Sequence, residues 1–109
     1  MLTPERARAV ALALPETVER DHHGRPSFRV GDRIFATQWD EQHMNVMLDE
    51  PGIRTAVQRH PEACREVWWG KRLSAVRVDL HRAPERLLAE LLRDAWEGKA
   101  PARLTRLPR

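Results

Sequence analysis

The 109-residue chain has one cysteine, no tyrosine and two lysines. The lone thiol, Cys64, excludes an internal disulfide and fits a reducing compartment. No apolar run approaches the ~20 residues of a bilayer span. There is no glycine-rich phosphate loop, no dinucleotide fingerprint, no readable Ser/His/Asp spacing, no internal repeat and no low-complexity tract. These absences exclude disulfide scaffolds and membrane spans, and they point to no cofactor and no enzyme. Met1-Leu2-Thr3-Pro4-Glu5-Arg6 enters an amphipathic pattern without an apolar signal-peptide core, so the expected location is cytoplasmic. What is present is globular in composition, 41% hydrophobic and 32% charged. A chain of this length makes one domain and buries roughly two-thirds of the surface its unfolded form exposes.

The net charge of +3 suggests affinity for polyanions until it is divided along the chain. Lys99, Arg103, Arg106 and Arg109 are four of the 19 basic groups and have no acid beside them. Residues 1–98 then hold 15 basic and 16 acidic groups. The expected organisation is a domain over 1–98 and a basic tail over 99–109. Any basic face on the body must come from local clustering.

Thr3, Pro4 and Glu5 suit a helix start, and Ala7, Val10, Ala11 and Leu14 repeat at helical spacing, which predicts a helix over Pro4–Leu14. A short strand is expected near Thr17–Arg20, then a turn over His22–Pro26. Ser27–Val30 and Arg33–Trp39 alternate around Gly31-Asp32, a hairpin with a type II′ turn. In that register Phe28 faces Phe35. Phe28, Val30, Phe35, Pro26 and Thr37 then share one face, and Ser27, Arg29, Ile34 and Ala36 the other. His43–Leu48 predicts a third strand, Asp49 caps a helix to about Arg59, and Pro61–Ala63 opens a helical turn. Val67–Trp69 predicts a short strand, Gly70–Ser74 a polar loop, and Ala75–Leu80 a strand with Arg77 and Asp79 on one side. Leu87, Leu88, Leu91, Leu92, Ala95 and Trp96 form the strongest helical stripe, with Pro84 before it and Gly98 placed to cap it. This order of elements predicts an α+β domain with an antiparallel sheet and N-terminal, middle and C-terminal helices.

Several segments in this order resemble the MmcQ/YjbR family, small α+β proteins with a CyaY-like fold. They are Leu12–Pro15, His23–Val30, Ile34–Thr37, Trp69-Gly70-Lys71-Arg72, Val76–Leu80, Leu91–Trp96 and Ala100–Leu104. The resemblance implies DNA binding through a "double wing" of two β-hairpins. Carried onto this chain, one wing is Ser27–Ala36 and the other Gly70–Arg77. Leu73, Ser74 and Ala75 stand where many relatives have an aromatic residue, so no stacking role is expected there. A frataxin-like iron site is not expected, because the first helix has Glu5 as its one acid.

The wing cations Arg25, Arg29, Arg33, Lys71 and Arg72, with Ser27 and Trp69, are the candidate contacts to double-stranded DNA. Cations laid on phosphates release counterions, so such binding weakens with salt. The same charges also suit a solvated sheet edge that discourages aggregation. Trp68 and Trp69 are adjacent, so on a strand one points inward and one outward. The outward ring is available to a base or a partner, or lies under the C-terminal tail. The alternative function is a protein-interaction or small-ligand module with a cleft near Trp68–Lys71, and a homo-oligomer is compatible with either. His22, His23, His43, His60, Cys64 and His81 invite a metal reading. A zinc site needs three or four convergent ligands, and Pro61 interrupts the face shared by His60 and Cys64, so no metal is expected. Cys64 is expected to be an inert core residue.

Overall fold

Thr3 starts the first helix as its composition predicts: its hydroxyl accepts the Arg6 N–H at 3.1 Å, with Pro4 in the first turn. The computed structural model describes residues 1–106, so the tail residues Pro108 and Arg109 lie outside the described residues. In chain order the elements are α1 (Pro4–Leu12), β1 (Val18–His22), β2 (Arg25–Val30), β3 (Arg33–Gln38) and β4 (His43–Val46). Then come α2 (Glu50–Arg59), β5 (Cys64–Trp69), β6 (Arg72–Asp79), α3 (Glu85–Lys99) and α4 (Ala102–Thr105). The α+β expectation holds: the six strands form one antiparallel sheet in the order β1-β2-β3-β4-β6-β5, flanked by helices. Among the described residues no helix is long and apolar enough to cross a membrane.

Several boundaries differ from expectation for local reasons. Helix α1 ends at Leu12, and Leu14 N–H closes a tighter turn onto Ala11 O (3.2 Å) ahead of Pro15. His22–Pro26 is not one long turn. His22 pairs with Arg25, and His23-Gly24, at φ 54° and 82°, make a two-residue connection. Gly31 and Asp32 both have positive φ (56° and 63°), which is type I′ rather than II′. The polar loop expected over Gly70–Ser74 shrinks to Gly70-Lys71, because Trp69 pairs with Arg72 and the strand runs on from there. Gly52 sits inside α2 because a Cβ there would stand 2.9 Å from the Asp49 Oδ1 that caps the helix. Gly98 does not cap α3. The helix passes through it to Lys99 and stops at Pro101.

The largest departure is a β-bulge in the β2–β3 hairpin. Val30 pairs with Arg33 and Arg29 with Ile34, but Phe28 then pairs with Ala36, not Phe35. Phe35 is the extra residue, so Phe35 and Ala36 both turn to the core and are fully buried. Thr37 moves to the face of Ser27 and Arg29, opposite to the expected assignment.

Residues directly opposite in antiparallel strands share a face, so the register sorts the sheet into two sides. One row reads Phe28, Ala36, Val46, Val76 across β2, β3, β4 and β6, each at most 1% exposed. Helix α3 lies over β3 and β4 with its whole leucine stripe buried, α2 covers β5 and β6, and α1 packs on α3. Trp96 is core as expected, and its Nε1–H donates to Pro15 O at 2.9 Å. All the long helices are on this one side.

The start of the tail docks on the body. Arg103 makes a two-pronged pair with Glu16 (2.8 and 2.7 Å), and Pro101 closes on the Gly31 turn. The hydrogen bond from Arg103 holds the Glu16 carboxyl below its ordinary 4.5. A depressed acid stabilises above its ordinary value, so the clamp weakens as pH falls through the lowered value. Glu16→Gln is expected to speed tryptic cleavage after Arg103 while the body stays intact by mass spectrometry. An unchanged rate means the pair does not hold the tail.

Candidate functional site

The sheet face opposite the helices is crossed by one polar row. Arg20, Ser27, Thr37, Asn45, Arg77 and Arg65 are consecutive register partners across all six strands. Its middle is buried, with Ser27 at 0%, Asn45 at 2% and Thr37 at 7% exposure. Buried polar groups hold geometry only when they are bonded, and two of these bond the flanking arginines. Ser27 Oγ donates to Arg20 O (2.8 Å) and accepts from Arg29 Nε (3.1 Å). Asn45 Oδ1 accepts from Arg77 Nε (2.9 Å).

Trp39, just beyond β3, gathers two more contacts. The guanidinium carbon of Arg25 lies 4.0 Å from the indole ring centre and that of Arg77 4.4 Å. Arg25 Nε also donates to Trp39 O at 2.9 Å. Each such cation–π contact contributes about 0.5–1 kcal/mol when exposed. Two like charges on one ring repel unless an anion joins them. Burial pulls the Arg77 pKa down, Asp40 pulls it back up, and Arg25 presses it down again. A guanidinium stays charged at neutral pH regardless, so the pair is a preformed, positively charged clamp.

Charge is segregated by the register. The strands hold four acids, and Glu19, Asp21 and Glu66 alternate onto the helix side, where Glu19 pairs with Arg8 and Glu66 with Arg54. Asp79 is the one strand acid on the open side, already engaged by Gln42, the His81 N–H and Arg82. Five of the seven strand arginines (Arg20, Arg25, Arg29, Arg65, Arg77) are in the body of that open side, and Arg72, the register partner of Trp69, is at its end. Among the described residues none of the five has an ion-pair partner within 4.0 Å. A near-neutral body thus presents one basic face.

A cavity of about 410 Å³ opens on the same face. Ile34, Met47, Trp39 and Trp69 supply its apolar walls, and Thr37, Asn45, His22 and His23 its uncharged polar groups. Arg25 and Lys99 also border it.

The sequence-derived candidates divide. Arg25 and Arg29 lie on the open face as part of this cluster. Ser27 does not reach a ligand: it is fully buried and positions Arg29. Arg33 pairs with Val30 on the helix side, and its Nη1 points to Lys99 O at 3.4 Å. Lys71 is in the β5–β6 turn, and Arg72 lines a groove of about 920 Å³ between α2 and α3. Trp69 lines both that groove and the open-face cavity, so the cleft expected near Trp68–Lys71 has two counterparts, and the groove also holds Asp49, Glu90 and Asp94. Burial raises the Asp94 carboxyl, and Glu97 and Glu90 raise it further against the pull of Arg93. Trp68 and Trp69 are not one in and one out of a core. β5 is an edge strand, both are exposed (47% and 56%), and the described part of the tail leaves Trp69 uncovered. Trp68 lies on the helix side and donates to Glu66 Oε1 at 3.2 Å. Cys64 is buried, and burial with help from Glu62 pushes its thiol up to about 11, so it is protonated at neutral pH. Among the described residues no three potential metal ligands converge.

Arg20, Arg65, Arg77, Trp39, Thr37 and Asn45 were not legible as a site. Alternation places Arg77 outward, but no local signal reveals that β4 lies beside β6 and so brings Asn45 to Arg77.

Comparison with known proteins agrees with this architecture. A family model described as YjbR matches residues 12–98. A crystal structure of the Deinococcus radiodurans protein DR2400, with a domain described as DUF419, is similar at 25% identity and a TM-score of 0.76. The match covers 99% of this chain and 91% of that one. Comparison with curated proteins gives no match.

Proposed function

The chain belongs to the YjbR family, and on that premise we propose that it binds nucleic acid, without a chemical step, through the open face of its sheet. The observation that carries this reading is the group of five arginines on one face, unpaired with carboxylates, two of them held on the Trp39 ring. A polyanion supplies the countercharge that the protein does not. Interleaved aromatic rings and a basic groove are what strand binding requires. The DNA binding implied by the family resemblance supports the same class of ligand. In this reading the two hairpins act through the face they share, and Lys71 and Arg72 extend it at one end.

The test is a salt titration of the full chain with labelled DNA. If five phosphates are neutralised, log K falls against log salt with a slope of about −3.5 to −4.5. No binding at low salt, or a slope near zero, overturns the reading.

A further inference from the structure

We propose that the open-face cavity receives one unpaired nucleobase, so that single strands bind in preference to duplex. This rests on the nucleic-acid reading of the same face and names the form of the ligand. Thr37 and Asn45 are direct register partners at the cavity, each more than nine-tenths buried. Asn45 spends its Oδ1 on Arg77, which leaves its NH₂ without a partner among the described residues. Among the described residues the Thr37 hydroxyl makes no side-chain hydrogen bond either. A donor and a donor–acceptor thus lie side by side among the rings of Trp39 and Trp69 and the side chains of Ile34 and Met47.

A flat heterocycle with polar atoms along one edge satisfies both features. Its faces take the apolar walls and its edge takes the two polar groups. A charged or aliphatic ligand satisfies only one of them. The phosphate belongs at the border, where Arg25 stands with Lys99. Trp39 is occupied by its two guanidinium groups, so Trp69, exposed and without a ring or cation partner, is the stacking surface. At about 410 Å³ the cavity is at the small end of the roughly 300–1,000 Å³ range of ligand pockets, room for one base and its sugar. A paired base presents neither its edge nor its faces to such a cavity.

The same chemistry exists in a free nucleotide, and the experiment separates the two sources. Four ligands are compared at low salt: a labelled single strand of about 12 nucleotides, its duplex, the strand with abasic sites, and nucleoside monophosphates. The single strand is expected to bind about tenfold tighter than duplex, an advantage lost with abasic sites or with Trp69→Ala. Thr37→Val, nearly isosteric, is expected to reduce the advantage with no change in salt slope. Equal binding of intact strand, abasic strand and duplex overturns the base cavity and leaves the basic face standing. If no polymer binds, the face reading falls. Monophosphate quenching of tryptophan fluorescence that requires Trp69 then supports the cavity with a free nucleotide as occupant, and its absence overturns the cavity too.

Discussion

Replacing Arg25 and Arg77 together by alanine is expected to lower DNA affinity by about a hundredfold to ten-thousandfold at low salt. Each charge-assisted hydrogen bond to an ionised partner contributes about 1.5–3 kcal/mol, and two are removed. The salt slope should become shallower by about 1.4–1.8, the loss of two released counterions. The effect is expected to be large because these two side chains are already positioned. Asn45 holds one, the Trp39 carbonyl holds the other, and one indole contacts both. Little side-chain freedom is left to lose on binding. Arg54→Ala on the helix side, paired with Glu50 and Glu66, is the control and should leave both affinity and slope unchanged. Fluorescence anisotropy over a salt series reads all three. A double variant that keeps the wild-type slope would place binding elsewhere on the molecule.

Phe35→Ala is expected to destabilise the fold by about 3–5 kcal/mol, measured by urea denaturation. That is a large part of the ~5–15 kcal/mol a domain of this kind has. Phe35 is fully buried at the bulge, where two consecutive residues turn to the helix side, and its loss opens a cavity beneath α3. Ile34→Ala, one residue earlier on the open face and only half-buried, should cost much less. A similar loss for both would mean that the faces are not divided as the register has them.

The contrast between Phe35 and Thr37 shows where sequence reading stops. Alternation from Arg33 correctly places Ile34 outward and Phe35 inward. It then fails at Ala36 and Thr37, because one inserted residue reverses every later assignment in the strand. No residue in Arg33–Gln38 announces the bulge. Core demand selects it, since both Phe35 and Ala36 are accommodated under α3. The tryptophan pair shows a related limit. Adjacent positions on a strand do face opposite ways, but β5 is at the edge of the sheet, so neither ring is enclosed.

Local pattern alone determined α1, α2 and α3, most of the strands and the buried stripe of α3. Each of these depends on spacing within a few residues, and periodicity reports which way a side chain points along its own element. Tertiary structure decided where the strand arginines are gathered. Asn45, Arg77 and Arg65 come from three separate strands, and they fall in one row because β4 pairs with β6 and β5 is placed outside it. The helices α2 and α3 pack against one side of the sheet. That long-range packing leaves the other side bare, and with it the basic face.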